Sequence, residues 1–575
     1  MNKKLVRWIA LATMVLMLMA IGLGCGSKDS NHNSAANNDK QDVADSTNNS
    51  TDNSSDNSED SGDSEELKAG WMKDTSPVTL TWFVNQDYYT KQWDVDNCLL
   101  DKYITEQTGV TVEINSGTNE KLNAIIASGT LPDVITAEYS LSQVQELQEA
   151  GLIWAIDDLI EEYNPSFVVP ESMKRWHGNE NDGKLYGIVS YFYADEHMQD
   201  GPMLEVHNEL KARKDIMDQL DIKPDDFLTK EGTLEALRKV RDAKVTYNGF
   251  DVVPAYFQYN HIVEFFAAPK EDKDGNYLDA FHQPEALEAA KFLNQLYREN
   301  LMPEDVLTMN TQMLRERIAR GEVFSFTGHL YDSTDSLMNA LYNIDKTAYN
   351  VHVGPLHNDN NDDPVLGVSP LAGWTISMIT KQTEHPDRAI YLFDFLYSGD
   401  DIHITTWYGP EGEAWEWEDE SKTKYKMTDQ YLADFEEDPS AAAAKYTNGG
   451  FEWLANWIPI RKGMPVPTET HLKAGYDSDM YFSQWGLYDL PFTGINPQGG
   501  TDLAGVAARV DEIQLEYVAK MVTASSEEEV EAFFNEMIQK KKEVGYDELH
   551  NYRNEQFQKN KEKLGLDFAW PSNQK

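Results

Sequence analysis

The sequence predicts an α/β protein in two lobes, and three observations carry that expectation. β-Branched apolar runs alternate with amphipathic helices between residues 78 and 135, the order of a parallel sheet covered by helices. The same alternation resumes after residue 183 and continues to about residue 398. The chain has 575 residues, 41% of them hydrophobic and 11% aromatic, which is enough for roughly two to four domains with sizeable cores.

The elements follow in order. VTLTWFV (Val78 to Val84) reads as a first strand, and WDVDNCLLDKYITEQTG as a helix stopped by Gly109. VTVEINS (Val110 to Ser116) is a second strand. In KLNAIIASGTLPDVI the spacing of Leu122, Ile125 and Ile126 is helical. Gly129 offers the left-handed geometry that ends helices, Pro132 cannot continue one, and Val134 and Ile135 favour a third strand. LSQVQELQEAGLIWAIDDLIEEY gives two more helical pieces, and GKLYGIVSYFYA (Gly183 to Ala194) is strand-like. The second region opens with the helix TLEALRKVRDAK. PEALEAAKFLNQLYREN starts at Pro284, which suits a first turn, and sets Leu287, Ala290, Leu293 and Tyr297 along one face. MLRERIARGEVFSFTG is a helix ended by Gly321 and followed by a strand. YNVHVGPL and GVSPLAGWTISMI are strands, HPDRAIYLFDFLYSGD is a helix, and the chain beyond about Gly499 is helical and charged. No internal repeat is visible.

Composition excludes several functions. Ninety-eight acidic against 49 basic residues give a formal net charge of -49. Nucleic acid and anionic lipid both need a positive footprint. At the N-terminus, basic MNKKLVRW precedes the apolar run IALATMVLMLMAIGLG, the order of an export signal and short of the roughly 20 residues of a membrane span. The run ends at Gly24-Cys25-Gly26-Ser27, which looks like a bacterial lipobox. It implies a signal peptide over 1–24 and lipidation at Cys25, although Gly22 stands where the pattern prefers leucine. Residues 25–68 then read as a lipidated cysteine and a disordered Ser/Asn/Asp tether. Cys98, the other cysteine, reads as a buried apolar residue.

Seven further motifs, in order, resemble one family across nearly the whole chain: ASGTLPDVI, GKLYGIV, ARKDIMDQLDI, LYRENLMPED, ARGEVFSFTG, HPDRAIYLFDFLYS and WYGPEGEAWEW. They resemble those of extracellular solute-binding proteins of family 1, the carbohydrate receptors of ABC importers. The resemblance implies a two-domain, type II periplasmic-binding-protein-like fold with an inter-domain ligand cleft and a helical C-terminal region. By that analogy the first lobe is 69–190 with 367–420, and the second is 191–366 with 421–575.

Ligands of open α/β sheets bind beyond the carboxyl ends of the strands. The turn SGTLPD lies at the other end of its strand, so Asp133 is expected to bracket the turn. Sugars offer apolar faces to aromatic rings and hydroxyl rims to polar side chains. Aromatic and polar residues just after strands are therefore the candidates: Asn85, Gln86, Glu138, Tyr139, Tyr191, Tyr193, Gln258, Tyr259, His329, Trp374 and Trp407. Trp453, Trp457 and Trp485 lie in similar surroundings. Arg213 either pairs with a substrate carboxylate or forms a structural ion pair with Asp215.

No metal or other cofactor is expected. Some oligosaccharide receptors of this family carry a calcium loop, but DAKVTYNGFDVVP keeps only Asp242, Asn248 and Asp251 of its oxygen donors. EDKDGNYLD reads as a solvated hairpin turn. No catalytic constellation stands out, and the acidic run GPEGEAWEWEDE reads as a solvated loop. The expectation is a monomeric, lipid-anchored receptor on the outer face of the bacterial membrane. It captures an oligosaccharide, neutral or uronic, and delivers it to ABC permease subunits, with no nucleic-acid partner and no enzymatic activity. A surface glycosidase or lyase and a ligand-binding partner of a signalling receptor are the alternatives.

Overall fold

The computed structural model describes residues 70–573 apart from residues 180, 194–203, 308, 310, 329–339, 369–370 and 498–499. The signal segment, Cys25, the tether and His329 lie outside the described residues. The strands are β1 (Val78–Val84), β2 (Val110–Ser116), β3 (Val134–Glu138), β4 (Ile188–Val189), β5 (Leu210–Arg213), β6 (Thr246–Tyr247), β7 (Phe250–Asp251), β8 (Val253–Tyr256), β9 (Val323–Thr327), β10 (Asn350–His352), β11 (Thr375–Ile379), β12 (Trp415–Trp417) and β13 (Tyr425–Met427).

Two larger sheets organise them. The first runs β2-β1-β3-β11-β4, with β1, β2 and β3 parallel and β11 antiparallel to both of its neighbours. The second runs β10-β5-β9-β8, with β8 parallel to β9 and β5 antiparallel to both β9 and β10. β9 and β11 are buried along their whole length, as strands covered by helices on both faces should be. Each sheet carries its own core. Leu80, Trp82, Ile135 and Phe393 belong to the first, and Leu210, Ala255, Leu293 and Phe324 to the second. The turn before β3 forms as its residues require. Gly129 caps its helix in the left-handed region, and Asp133 accepts from Thr81 N and Thr81 Oγ1 at the end remote from the cleft.

The chain passes between the lobes three times. Trp374 N donates to Ser190 O at 3.1 Å and Ser190 N to Thr375 O at 2.8 Å across the first two passages, and Tyr193 N donates to Leu371 O at 3.1 Å. Tyr191 N donates to Ala455 O at 2.7 Å and so ties in a third passage. Phe451, Trp453 and Leu454 lie in the first core, and Ile458 lies in the second. The expected boundary at 421 is therefore misplaced, because the chain returns to the second lobe only after Leu454. Residues between have a small core of their own, with Ile404, Trp415, Tyr425 and Tyr446 at its centre. It sits on the first lobe: Tyr89 Oη donates to Gly450 O at 2.8 Å and Lys91 Nζ to Thr447 O at 2.6 Å. The acidic run is part of it and forms a hairpin, not a loop. Trp415 points in, and Glu416 points out to Lys426 at 2.8 Å.

The stretch around Asp242 to Asp251 is a tight β6–β7 hairpin turning on Asn248 and Gly249, both at positive φ. EDKDGNYLD does form a turn, but Glu271 within it is buried. Glu271 accepts from Lys561 Nζ at 2.7 Å and from the backbone of Ala569 and Trp570, fastening the C-terminal helix to the second lobe.

Candidate functional site

The register of the first sheet sets several candidates at one end. Asn85 and Gln86 follow β1, Glu138 closes β3, and Trp374 precedes β11, whose Thr375 pairs with Glu138. Tyr191 follows β4 at the same end. In the second sheet Leu210 pairs with Thr327, so the start of β5 and the ends of β8 and β9 share the edge to which the crossings lead.

At the crossings the rings converge. Tyr191 lies 6.0 Å from Trp374 and 5.7 Å from Trp457, and Trp407 lies 5.0 Å from Trp457. All four are half-buried, so each keeps a face or an edge open. Behind them Trp453 is fully buried, 5.9 Å from Trp374. The backbone is drawn tight here. Tyr191 has φ 57, a strained value for a non-glycine residue. Gly373 has φ +92, and a Cβ on it would stand 2.3 Å from Val189 Cγ1. Trp457 is oriented by its Nε1, which donates to Glu205 Oε2 at 3.0 Å.

Carboxylates edge this floor. Glu138 is half-buried. Burial pushes the Glu452 carboxyl up to about 7 against the opposing pull of Lys91. Partial shelter, then the charges of Glu452 and Glu138, push the hydroxyl of the exposed Tyr88 up to about 12. Tyr139 stands where the lobes meet. Its ring is 4.9 Å from His177, and burial, followed by the charge of Asp489 from the second lobe, pushes its hydroxyl up to about 12. His177 is held near 4 by burial while its Nε2 lies 2.6 Å from Ala372 O.

Of the other expected residues, Asn85, Tyr193, Arg213 and Tyr259 are buried. Asn85 is buried, its amide against the Gly117–Asn119 turn. Gln86 is half-buried beside it. Tyr193 is buried in the second core, its hydroxyl unbonded among the described residues. Arg213 is a correction. It ends β5 at the edge opposite the crossings, buried, bonded to Asp215 at 2.5 and 3.1 Å and to Gly321 O at 2.6 Å, with its guanidinium over Tyr247. The structural ion pair is the alternative that the structure shows. Gln258 is exposed after β8, and Tyr259 is buried with its hydroxyl on Ala286 O. Both line a largely apolar cavity of about 400 Å³ beside the helix Asp502–Thr523, with Phe281, Leu515 and Val518. Glu452 was missed. Its only signal was a glutamate between the aromatics of FEW.

The profile of the bacterial extracellular solute-binding protein family matches residues 99–400, more than half of the chain. The chain belongs to this family. Among relatives of this solute-binding protein, lipoprotein LipO of Bacillus subtilis is 23% identical over 351 residues, 58% of this chain and 66% of the relative. The polygalacturonan/rhamnogalacturonan-binding protein YtcQ of the same species is 22% identical over 293 residues, 47% of this chain and 53% of the relative. The chain thus spans less than two thirds of either relative. An extracellular solute-binding protein of Bifidobacterium longum subsp. infantis superposes with a TM-score of 0.61 at 14% identity, covering 84% of this chain and 98% of its own. An alginate-binding protein superposes with a TM-score of 0.58 at 17% identity, covering 85% of this chain and all of its own. These two structures establish the two-domain binding-protein fold. Among the described residues no helix is long and apolar enough to cross a membrane.

Proposed function

We propose that this solute-binding protein captures an oligosaccharide outside the cell and passes it to the permease of an ABC importer. The observation that carries this reading is the set of four half-buried rings, Tyr191, Trp374, Trp407 and Trp457, gathered at the crossings of a two-lobed fold and edged by carboxylates. Flat rings beside hydrogen-bond acceptors are what a sugar's apolar face and hydroxyl rim require. The relative named for binding polygalacturonan and rhamnogalacturonan supports a polysaccharide fragment as ligand and raises the uronic option. The named lipoprotein relative supports an anchor at Cys25 and a place on the outer face of the membrane. The protein acts as a monomer, holding its ligand without changing it.

The test is thermal unfolding of the purified protein against a panel of plant and algal oligosaccharides. A ligand at a hundred times its Kd adds about 2.7 kcal/mol to stability. The expected result is a raised Tm with the sugar recovered intact. Sugar recovered as fragments would overturn capture in favour of catalysis, and no shift with any sugar would overturn the oligosaccharide reading.

A further inference from the structure

The aromatic floor is bordered by negative charge on the first-lobe side. Glu138 sits directly beside Trp374, since Tyr139 N donates to Trp374 O at 3.2 Å. Glu452 precedes Trp453, whose ring lies against Trp374. Glu452 also differs from an ordinary surface carboxylate. Its Oε2 is buried and has no hydrogen-bond partner among the described residues. The fold leaves room for it at Gly450, φ +73, where a Cβ would stand 2.7 Å from that oxygen. A buried acceptor without a donor is costly to maintain, so its persistence beside an open binding surface points to a donor that arrives with the ligand.

Most neighbouring cations are committed elsewhere; Lys270 on the second-lobe side, whose charge reaches Asp489, lies over Phe492 and has no ion pair among the described residues. Lys91 lies 2.7 Å from Asp101, both side chains fully buried, and also bonds Thr447 O. Lys121 stands beyond β1 at the end of β2, where it donates to Asn115 and Ser116. Arg461 faces Glu205 at 3.9 Å, and Lys211 faces Glu209 at 3.3 Å. Arg213 is at the far edge of the second sheet. A sugar carboxylate stacked over Trp374 on the first-lobe side would meet the like charges of Glu138 and Glu452. A hydroxyl at the same place would supply the donor that Glu452 lacks.

We propose that Glu452, supported by Glu138, is a specificity-determining residue that makes this cleft take uncharged sugars and reject uronates. The proposal rests on the oligosaccharide reading of the same site. It sets this chain apart from a receptor for polyuronides.

Calorimetric titration of the full-length protein tests it at pH 8, where Glu452 is ionised. The probes are matched pairs: galacturonic acid and alginate oligosaccharides, each against its carboxyl-reduced counterpart. The uncharged member of a pair should bind about ten-fold or more tightly, a difference of about 1.4 kcal/mol or more, and binding confined to uncharged sugars has the same meaning. Glu452→Gln should narrow that gap. Should that variant fail to fold, Glu138→Gln should narrow it in part, and the wild-type comparison stands without either. A uronate that binds as tightly as its reduced counterpart overturns the proposal. Failure of every sugar to bind overturns the oligosaccharide reading, and this inference with it.

Discussion

Two half-buried carboxyls, each with one buried oxygen, dominate the residue scale. Glu452 and Asp489 are both pushed up to about 7 by burial, opposed by Lys91 and by Lys270 respectively, and each has an oxygen with no hydrogen-bond partner among the described residues. A carboxyl whose pKa is raised on folding holds its proton more tightly in the folded state. Its favourable contribution is complete below the unfolded pKa and is lost as pH rises through about 7. A tenfold change in proton affinity corresponds to about 1.4 kcal/mol, so each group should cost on the order of 3 kcal/mol between pH 4.5 and pH 8. Melting curves across that range should show a steeper fall for the wild type than for a Glu452→Gln, Asp489→Asn double variant, and parallel curves would remove these carboxyls as the cause. At the same scale, Trp374→Ala removes one open ring face. Aromatic contacts contribute about 0.5–1.5 kcal/mol, so sugar affinity should weaken about two- to ten-fold in a direct titration while the fold persists.

Strand polarity and register matter at the scale of elements. Arg213 sits on the wrong end of β5 for ligand binding because β5 runs antiparallel to β9, which puts its first residue, not its last, at the crossing edge. Arg213→Ala should therefore destabilise the protein by about 3 kcal/mol, through loss of a buried, paired charge, and leave sugar affinity unchanged. A large loss of affinity without a change in Tm would return Arg213 to the site. The C-terminal helix gives a parallel case. Lys561 is buried against Glu271, Gly275 O and Asp567 O. Glu271→Gln should cost about 3 kcal/mol, measured by denaturant unfolding, because it leaves the lysine charge uncompensated in the interior.

On the scale of the molecule, three crossings join two separately cored lobes. Hinge closure around a ligand is an established response of this architecture. Small-angle scattering should show a smaller radius of gyration when a bound sugar saturates the cleft, and an unchanged radius would mean that the lobes do not close. The strained Tyr191 and the close approach at Gly373 lie in these passages, where a change of backbone angles would be absorbed.

The sequence alone determined the two α/β lobes, the strands of the first sheet with their helices, and the end of that sheet at which Glu138, Tyr191 and Trp374 emerge. These are local matters of periodicity, breakers and the fixed polarity of a strand–helix–strand unit. Asp133 was placed at the remote end by the same logic. The tertiary structure alone decided the rest. That Trp457 joins Tyr191 and that the chain crosses a third time after Leu454 both depend on segments more than 200 residues apart meeting at the hinge. FEWLANWIPI changes lobes with no glycine or proline at the point of crossing, because the switch is made by which core each side chain enters. β5 itself was not legible, being only four residues long, and its pairing with β9 was hidden for a related reason. A strand's own residues favour an extended backbone but do not choose its partner, and so could not reveal at which edge of the sheet Arg213 would lie.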